Sequence, residues 1–256
     1  MPMRRILAGK FIWFEHVSND EKKAQPFYAE VLGWKAVPFP MEGGTYEMVY
    51  AGDAMVGGYA APDGEHTRAH WRSAVSVADV DAAVAAAKAK GGRVLKAPFD
   101  APGAGRIARI ADPQDAVIVL FTKADDDPAD GPVVPGRFFW NELHTPDTES
   151  AVAFYEAVVG YTHRSLDMGP AGKYHLLAHG GVDRAGVSHH LPEGARPHWL
   201  PYVAVEDADR TIDRARANGA TIRVSPHDIP GVGRFGVFED PTGALLAVMK
   251  PVPPSA

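Results

Sequence analysis

The chain of 256 residues contains no cysteine, which excludes disulfide bonds, zinc sites built on cysteine, and thiol catalysis. It also lacks an excess of positive charge, since 26 lysines and arginines stand against 32 aspartates and glutamates, a net charge of −6. Nucleic acid is therefore not an expected partner, because phosphate binding needs a basic surface. The chain has neither an apolar run of the roughly 20 residues that span a membrane nor one long enough for a signal peptide. These absences predict a cytoplasmic protein that does not associate with membranes.

Two halves of the sequence repeat one another. Phe27-Tyr28 recurs as Phe154-Tyr155, and the heptapeptide DAPGAGR at 100–106 recurs as DIPGVGR at 228–234. Further matches have the same spacing of 127 or 128 residues: Trp13 with Trp140, Glu15 with Glu142, Asp20 with Asp147, Gly33 with Gly160, Tyr46 with Tyr174, His70-Trp71 with His198-Trp199, and Asp112-Pro113 with Asp240-Pro241. Such ordered self-similarity indicates an internal duplication.

A linker separates the two copies. Residues 124–135, ADDDPADGPVVP, are rich in aspartate, proline and glycine, the composition of a segment without a core of its own. The sequence therefore predicts a first domain over 1–123, a linker over 124–135, and a second domain with a short tail over 136–256.

Each copy repeats a pattern of short elements. In the first copy, an aromatic-rich strand at 11–17 precedes a helix between Asp20 and Gly33, because aspartate caps helices and glycine ends them. A second helix is predicted to start near Asp79, where apolar residues follow at helical spacing. Short strands fill the rest, so each copy is predicted to contain a β-α-β-β unit, with an optional further strand, twice.

The spacing of aspartate, Phe-Tyr and glycine, followed by a late Asp-Pro, resembles the vicinal-oxygen-chelate superfamily. Its members include glyoxalases, bleomycin-resistance proteins and extradiol dioxygenases, and the openings FIWFE and FFWNEL resemble a two-domain glyoxalase-related subgroup. The resemblance implies an α+β fold of two tandem glyoxalase-type domains. Each domain would contain two βαβββ modules that form a cup-shaped curved sheet.

The resemblance also implies three metal-ligand positions in each copy, where family enzymes place histidine or glutamate. Counted from the motifs, these positions hold Trp13, Arg72 and Val119 in the first copy, and Trp140, Leu200 and Ala247 in the second. None of these side chains offers a lone pair to a metal. No metal and no other cofactor is therefore predicted. A displaced divalent-metal site is the alternative, because eight of the eleven histidines lie in the second copy.

Side-chain alternation along the strands gives the candidate sites. Glu15 shares the face of Trp13, and Glu142 and His144 share the face of Trp140, while His70 and His198 have the parity of the middle ligand positions. Each cup is therefore predicted to hold an acid–base pair that ionises near neutral pH. The candidate catalytic residues are Glu15 with His70 and Glu142 with His198, and the candidate ligand-binding residues are Trp13, Trp140 and His144. The alternative is that these groups are structural, bonded to backbone or packed in the core.

The implied function is that of a glyoxalase-related protein that binds a small oxygen-rich or aromatic molecule in a cup, as a ligand or as the substrate of a lyase, isomerase or oxygenase-like enzyme. The alternative is a non-catalytic protein that sequesters a small molecule or drug, as bleomycin-resistance proteins do. Two domains in one chain can form the pair that single-domain relatives form by dimerising. A monomer is therefore expected, and a homodimer stays open.

Overall fold

The computed structural model describes residues 4–41, 44–64, 68–169, 172–191 and 194–252. The first copy contains β1 (Phe11–Val17), α1 (Glu21–Leu32), β2 (Lys35–Met41), β3 (Gly44–Ala51), β4 (Ala54–Ala60), β5 (His70–Ser76), α2 (Val80–Ala89), β6 (Arg93–Ala101), β7 (Gly105–Ala111) and β8 (Val117–Lys123). The second contains β9 (Phe138–His144), α3 (Thr148–Val159), β10 (Thr162–Asp167), β11 (Lys173–His179), β12 (Val182–Ser188), β13 (His198–Ala204), α4 (Ala208–Ala217), β14 (Thr221–Ile229), β15 (Gly233–Glu239) and β16 (Leu245–Pro251). Within these ranges, no helix has the length and apolar character needed to cross a membrane.

The predicted capping residues begin and end the first helix of each copy. The Asp20 carboxylate accepts the backbone N–H of Lys23 at 3.1 Å, which satisfies a donor that the helix itself leaves unpaired. Gly33 then ends α1 with a φ of +70°, a left-handed conformation that glycine adopts without a steric cost. Asp147 and Gly160 do the same for α3. The predicted bounds of this helix are therefore confirmed in both copies.

The strands of each copy form one mixed eight-stranded sheet. The strand order is β2-β3-β4-β1-β5-β8-β7-β6 in the first copy and β10-β11-β12-β9-β13-β16-β15-β14 in the second. Strand β1 runs parallel to β4 and β5 parallel to β8, while antiparallel hairpins join β2 to β3, β3 to β4, β6 to β7 and β7 to β8. Each copy thus contains two complete βαβββ modules, and the strand that the sequence left optional is present.

Packing groups these modules differently from the way the sequence repeats them. Unit 1 comprises Met1–Trp13, Arg72–Gly131 and Trp140–Trp199, and unit 2 comprises Phe14–Trp71, Pro132–Phe139 and Leu200–Ala256. In unit 1, α2 packs against α3 around a core that includes Val84 and Tyr155. In unit 2, α1 packs against α4. Each sheet is formed by the strands of one predicted copy, whereas each compact unit contains segments of both copies. The domain boundaries at 123 and 136 therefore stay a prediction.

Candidate functional site

A polar cluster in unit 1 surrounds Glu142, on strand β9 of the second copy. The Tyr174 hydroxyl donates to Oε2 of Glu142 at 3.0 Å, and the Ser188 hydroxyl donates to Oε1, also at 3.0 Å. His144, two residues along the same strand face, places Nε2 at 2.9 Å from Oε1. The His144 nitrogen is poorly aligned for a hydrogen bond, so the contact is an ion pair when the imidazole is protonated.

These neighbours determine the charge of Glu142. Burial raises the pKa of its carboxyl, but the contacts from His144, Ser188 and Tyr174 outweigh burial and leave the pKa below its ordinary value. Glu142 is therefore a carboxylate at neutral pH, and each of its two oxygens accepts a hydrogen bond.

His198 lies at the start of β13, with its ring centroid 5.2 Å from that of His144. Its Nδ1 is 2.8 Å from the backbone carbonyl oxygen of Arg196. Because a carbonyl oxygen only accepts, Nδ1 carries the hydrogen, and Nε2 of the neutral ring keeps a lone pair. Burial, followed by the nearby charge of His144, lowers the pKa of His198 to about 4. The predicted ionisation near neutral pH is therefore wrong for His198, which is neutral at pH 7.

Trp140 joins the cluster through the Tyr174 hydroxyl that donates to Glu142. Its Nε1 donates to the Tyr174 hydroxyl at 3.1 Å, so consecutive hydrogen bonds connect Trp140, Tyr174 and Glu142. Burial, followed by the Glu142 charge, raises the pKa of Tyr174 well above its ordinary value, so this hydroxyl stays a donor. The structure thus brings Trp140, Glu142, His144 and His198 into one cluster, while the contact of Trp140 with a ligand stays a prediction.

The first copy keeps part of this arrangement within unit 2. The Tyr46 hydroxyl donates to Oε1 of Glu15 at 2.9 Å, as Tyr174 does to Glu142. His70 Nδ1 is 2.8 Å from the carbonyl oxygen of Arg68, as His198 Nδ1 is from that of Arg196. The predicted approach of Glu15 to His70 stays a prediction.

Two substitutions separate the copies at this point. Val17 stands where the second copy has His144, and Ala60 where it has Ser188. These residues also occupy matching places in the sheets, since Val17 pairs with Ala60 and Ser188 pairs with His144. The first copy therefore lacks the imidazole and the hydroxyl that surround the carboxylate of the second.

Trp13 has a packing role in unit 1. It lies against an apolar cluster of Ala74, Val119 and Phe121. This contact matches the core alternative for Trp13, and its binding to a ligand stays a prediction.

The residues at the family's metal positions do not fit a metal ion. Val119 lies in the apolar cluster around Trp13, and Leu200 and Ala247 are buried at 2% and 0% exposure. Across the part of the chain that the structure describes, no group of three or more histidines, aspartates or glutamates is arranged to hold a metal. The donor chemistry therefore gives no basis for a catalytic step through the family's metal.

The motif residues that carry the family resemblance meet inside each unit. In unit 2, the Tyr28 hydroxyl donates to Asp240 at 2.8 Å and accepts from Trp71 Nε1 at 2.9 Å. Unit 1 repeats this Trp–Tyr–Asp chain with Trp199, Tyr155 and Asp112, at 3.0 and 3.2 Å. All of these side chains are buried. Their role is to join a helix, a strand and a turn.

Unit 2 adds a histidine to its Trp–Tyr–Asp chain. His16 Nε2 lies 2.8 Å from Asp240 Oδ2, and both side chains are fully buried. Burial raises the pKa of Asp240, but His16 and the donors of the turn outweigh burial and lower it to about 2. In unit 1 the place of His16 is taken by Leu143, and burial raises the pKa of Asp112.

Comparison with known proteins agrees with this fold. The model of the Glyoxalase/Bleomycin resistance protein/Dioxygenase superfamily matches residues 10–120 and 137–248. The chain is 37% identical over 246 residues to CFP32 of Mycobacterium tuberculosis, which bears a provisional glyoxylase name, with 94% of each chain covered. It is 32% identical over 265 residues to the anthracycline biosynthesis protein DnrV of Streptomyces peucetius, with 97% of this chain and 95% of the relative covered.

Solved structures show the same fold. The Mn(II)-bound glyoxalase of Novosphingobium aromaticivorans matches with a TM-score of 0.64 at 21% identity, over 97% of this chain and 83% of that one. Homoprotocatechuate 2,3-dioxygenase of Brevibacterium fuscum matches with a TM-score of 0.65 at 17% identity, over 97% and 82%. The chain belongs to the glyoxalase/bleomycin resistance protein/dioxygenase superfamily, and the predicted fold of two glyoxalase-type domains is confirmed.

Proposed function

We propose that the second copy binds a small oxygen-rich or aromatic molecule beside Glu142, His144 and His198 and moves a proton on it without a metal. The observation that carries this proposal is the fixed protonation of His198. Its Nδ1 donates to the Arg196 carbonyl at 2.8 Å, and a pKa of about 4 leaves Nε2 a base at neutral pH. A base with a defined tautomer is what proton abstraction needs.

In this proposal, His198 Nε2 removes a proton from a carbon next to a carbonyl group. The neighbouring polar imidazole of His144, 2.9 Å from Glu142, stabilises the resulting oxyanion. For an α-hydroxyketone, Nε2 then returns the proton to the former carbonyl carbon while the proton of the α-hydroxyl moves to the enolate oxygen, so that carbonyl and hydroxyl exchange places in an isomerisation that needs no co-reactant. Glu142 positions His144 and does not take the proton itself, because both of its oxygens already accept hydrogen bonds.

The relatives support the chemical class of the ligand. CFP32 carries a glyoxylase name and DnrV is named for anthracycline biosynthesis. Both names point to oxygen-rich small molecules, and an anthracycline is also aromatic. The hydrogen bonds that connect Trp140 to Glu142 place an aromatic ring beside a polar group, and an aromatic, oxygen-rich ligand can contact both.

Solvent exchange tests the proposal without knowledge of the natural substrate. The probe is 2-hydroxyacetophenone, an aromatic α-hydroxyketone whose C–H bond exchanges in heavy water when a base removes its proton, as followed by NMR. We expect the protein to catalyse this exchange, and His198→Gln to slow it by about 100-fold or more. The matched control, His70→Gln in the first copy, retains the parent rate.

The pH and metal dependence of the exchange complete the test. Because Nε2 is protonated only below the pKa of about 4, we expect activity to persist through neutral and mildly acidic pH and to fall below about pH 4. Protein dialysed against EDTA should keep its rate. Loss of exchange on dialysis, recovered by a divalent metal, would contradict the metal-free mechanism.

Non-catalytic binding is the second candidate function, and the same pKa favours it. The conjugate acid of His198 has a pKa of about 4, whereas the conjugate acid of a general base usually has a pKa near the working pH. His198 is therefore a weaker base than most catalytic ones. If 2-hydroxyacetophenone binds, and His198→Gln weakens binding while neither protein catalyses exchange, sequestration is the function.

A further inference from the structure

A cavity of about 240 Å³ opens in unit 2, between α1 and the end of α4. One face of α1 and two turns supply its lining: Lys23, Pro26, Phe27, Glu30, Asn218 and Pro241. We refer to it as the helix-side cavity. Its volume lies below the roughly 300 Å³ at which pockets for drug-sized molecules begin, so it suits a smaller ligand.

The helix-side cavity lies on the opposite side of the sheet from Glu15. His16 contacts the Tyr28 ring of α1, with 5.6 Å between the ring centroids, so His16 points towards the helices. Successive side chains of a strand point to opposite faces, and Glu15 therefore points away from the helices. The helix-side cavity is thus separate from the face that carries the candidate acid–base residues.

The floor of the helix-side cavity is apolar. Phe27 is 4% exposed and packs edge-on against Phe238, with 5.6 Å between the ring centroids. Pro26 lies inside α1 and has no N–H, so the carbonyl oxygen of Lys22 lacks the hydrogen bond that a helix normally gives it. The proline therefore leaves a backbone acceptor one turn away, beside the apolar floor.

A charged side chain of each sign lies on the α1 side of the cavity. Lys23 and Glu30 are both exposed, and within the described part of the chain neither makes an ion pair with another residue. Seven helical positions separate them, about 10 Å along the axis at 1.5 Å per residue. Because seven positions are nearly two turns, both lie on one face of α1. The cavity therefore offers a cation at one end and a carboxylate at the other.

This spacing matches a short peptide with free ends. About three extended residues span the same 10 Å or so, with an ammonium group at one end and a carboxylate at the other. Asn218 donates from Nδ2 to the Arg214 carbonyl oxygen at 2.9 Å, which leaves Oδ1 to accept from a peptide N–H. The apolar floor around Phe27 suits an apolar side chain in the middle of such a peptide.

We propose that the helix-side cavity binds a short apolar peptide of about three residues, with its C-terminal carboxylate at Lys23 and its N-terminal ammonium group at Glu30. This site uses none of the residues of the proton-transfer site in the second copy. The two proposals therefore stand or fall separately.

Unit 1 keeps the helix and lacks the charged ends of this site. The matching positions of α3 hold Ser150, Ala153, Phe154 and Ala157. The aromatic floor residue is thus present, whereas both charges and the proline are absent. Peptide binding is therefore expected in unit 2 alone, and unit 1 is the internal control.

NMR of the full chain labelled with nitrogen-15 tests this site, with the tripeptide alanyl-leucyl-alanine as the probe. We expect saturable shifts of the backbone amide signals of Lys23, Phe27 and Asn218 at peptide concentrations up to about 10 mM. The signals of Ser150 and Phe154 in unit 1 stay in place.

Charge variants and capped peptides assign the two ends. Lys23→Gln should weaken binding of the free tripeptide by about threefold, the effect of losing an exposed ion pair, and should leave binding of its C-terminal amide unchanged. Glu30→Gln should weaken the free tripeptide equally and leave the N-acetylated form unchanged. The matched control, Lys22→Gln, removes a charge of the same helix outside the cavity and keeps the parent affinity.

Several outcomes would overturn the proposal. The absence of a saturable shift would exclude the site, and equal shifts of Phe27 and Phe154 would mean nonspecific contact. Equal effects of Lys22→Gln and Lys23→Gln would mean general charge attraction. Equal affinities for the free and the doubly capped peptide would exclude recognition of the ends.

Discussion

The two compact units build the same Trp–Tyr–Asp chain with opposite electrostatic results. In unit 2 the pKa of Asp240 lies at about 2, because His16 and the turn donors stabilise its charge. In unit 1 burial raises the pKa of Asp112, and an apolar Leu143 takes the place of His16. The motif residues therefore fix the geometry of the chain, whereas a single neighbour on the adjacent strand decides its charge.

Removal of the carboxylate should produce the largest difference between the units. Asp240→Ala leaves His16 buried without its partner, and we expect a loss of about 3–5 kcal/mol in the free energy of unfolding. Asp112→Ala leaves only neutral donors unpaired, for which we expect about 1–3 kcal/mol. Urea denaturation of the two variants at neutral pH measures both values. Equal losses would show that the His16 contact contributes nothing specific to unit 2.

Acid should affect the two units in opposite directions. The pKa of Asp240 is lowered from 3.8 to about 2 on folding, so its contribution is complete above pH 3.8 and is lost as the pH falls towards 2. That contribution is roughly 2 kcal/mol. The pKa of Asp112 is raised on folding, so its protonation favours the folded state as the pH falls.

Asparagine variants separate these two effects. Measured by urea midpoints from about pH 6 to 3, Asp240→Asn should lose less stability in acid than the parent does. Asp112→Asn should lose more. If both substitutions change the pH dependence in the same direction, the assigned difference in charge between the units is wrong.

Replacement of His16 in unit 2 by the residue found at the matching place in unit 1 should have the smallest effect on stability. His16→Leu gives unit 2 the leucine that unit 1 has at Leu143. We expect a loss of about 1–2 kcal/mol, because Asp240 keeps the Tyr28 hydroxyl and the backbone donors of its turn. The pKa of Asp240 should rise, as followed by carbon-13 NMR of its carboxyl group. A loss as large as that of Asp240→Ala would mean that the donors of the turn do not support the carboxylate.

Local signals made much of the fold predictable from the sequence. The helix that follows Asp20 ends at Gly33, because both residues act on the backbone next to them. The duplication was equally visible, since matched residues recur at fixed spacing. The packing of α1 against α4 could not be predicted in this way, because a repeat shows which modules are similar and leaves open which of them pack together.

The part of the site that depends on neighbouring residues of one strand was predicted, and the part that depends on distant strands was missed. Alternation along β9 placed Glu142 and His144 on one face, as observed. Tyr174 and Ser188 were missed, because their approach depends on the register of other strands, although the match of Tyr46 with Tyr174 was a usable signal. His16 was missed because its partner Asp240 is 224 residues away.

The assignment of modules to units has a consequence for biosynthesis. Unit 2 joins Phe14–Trp71 to the later segment Leu200–Ala256. Because α1 packs against α4, α1 contacts its packing partner only after residues 33–207 have been synthesised. Contacts so distant in sequence slow folding and leave apolar surface open in the meantime. We expect a nascent chain halted at the linker to hold one half of each core, and to depend on chaperones until synthesis resumes.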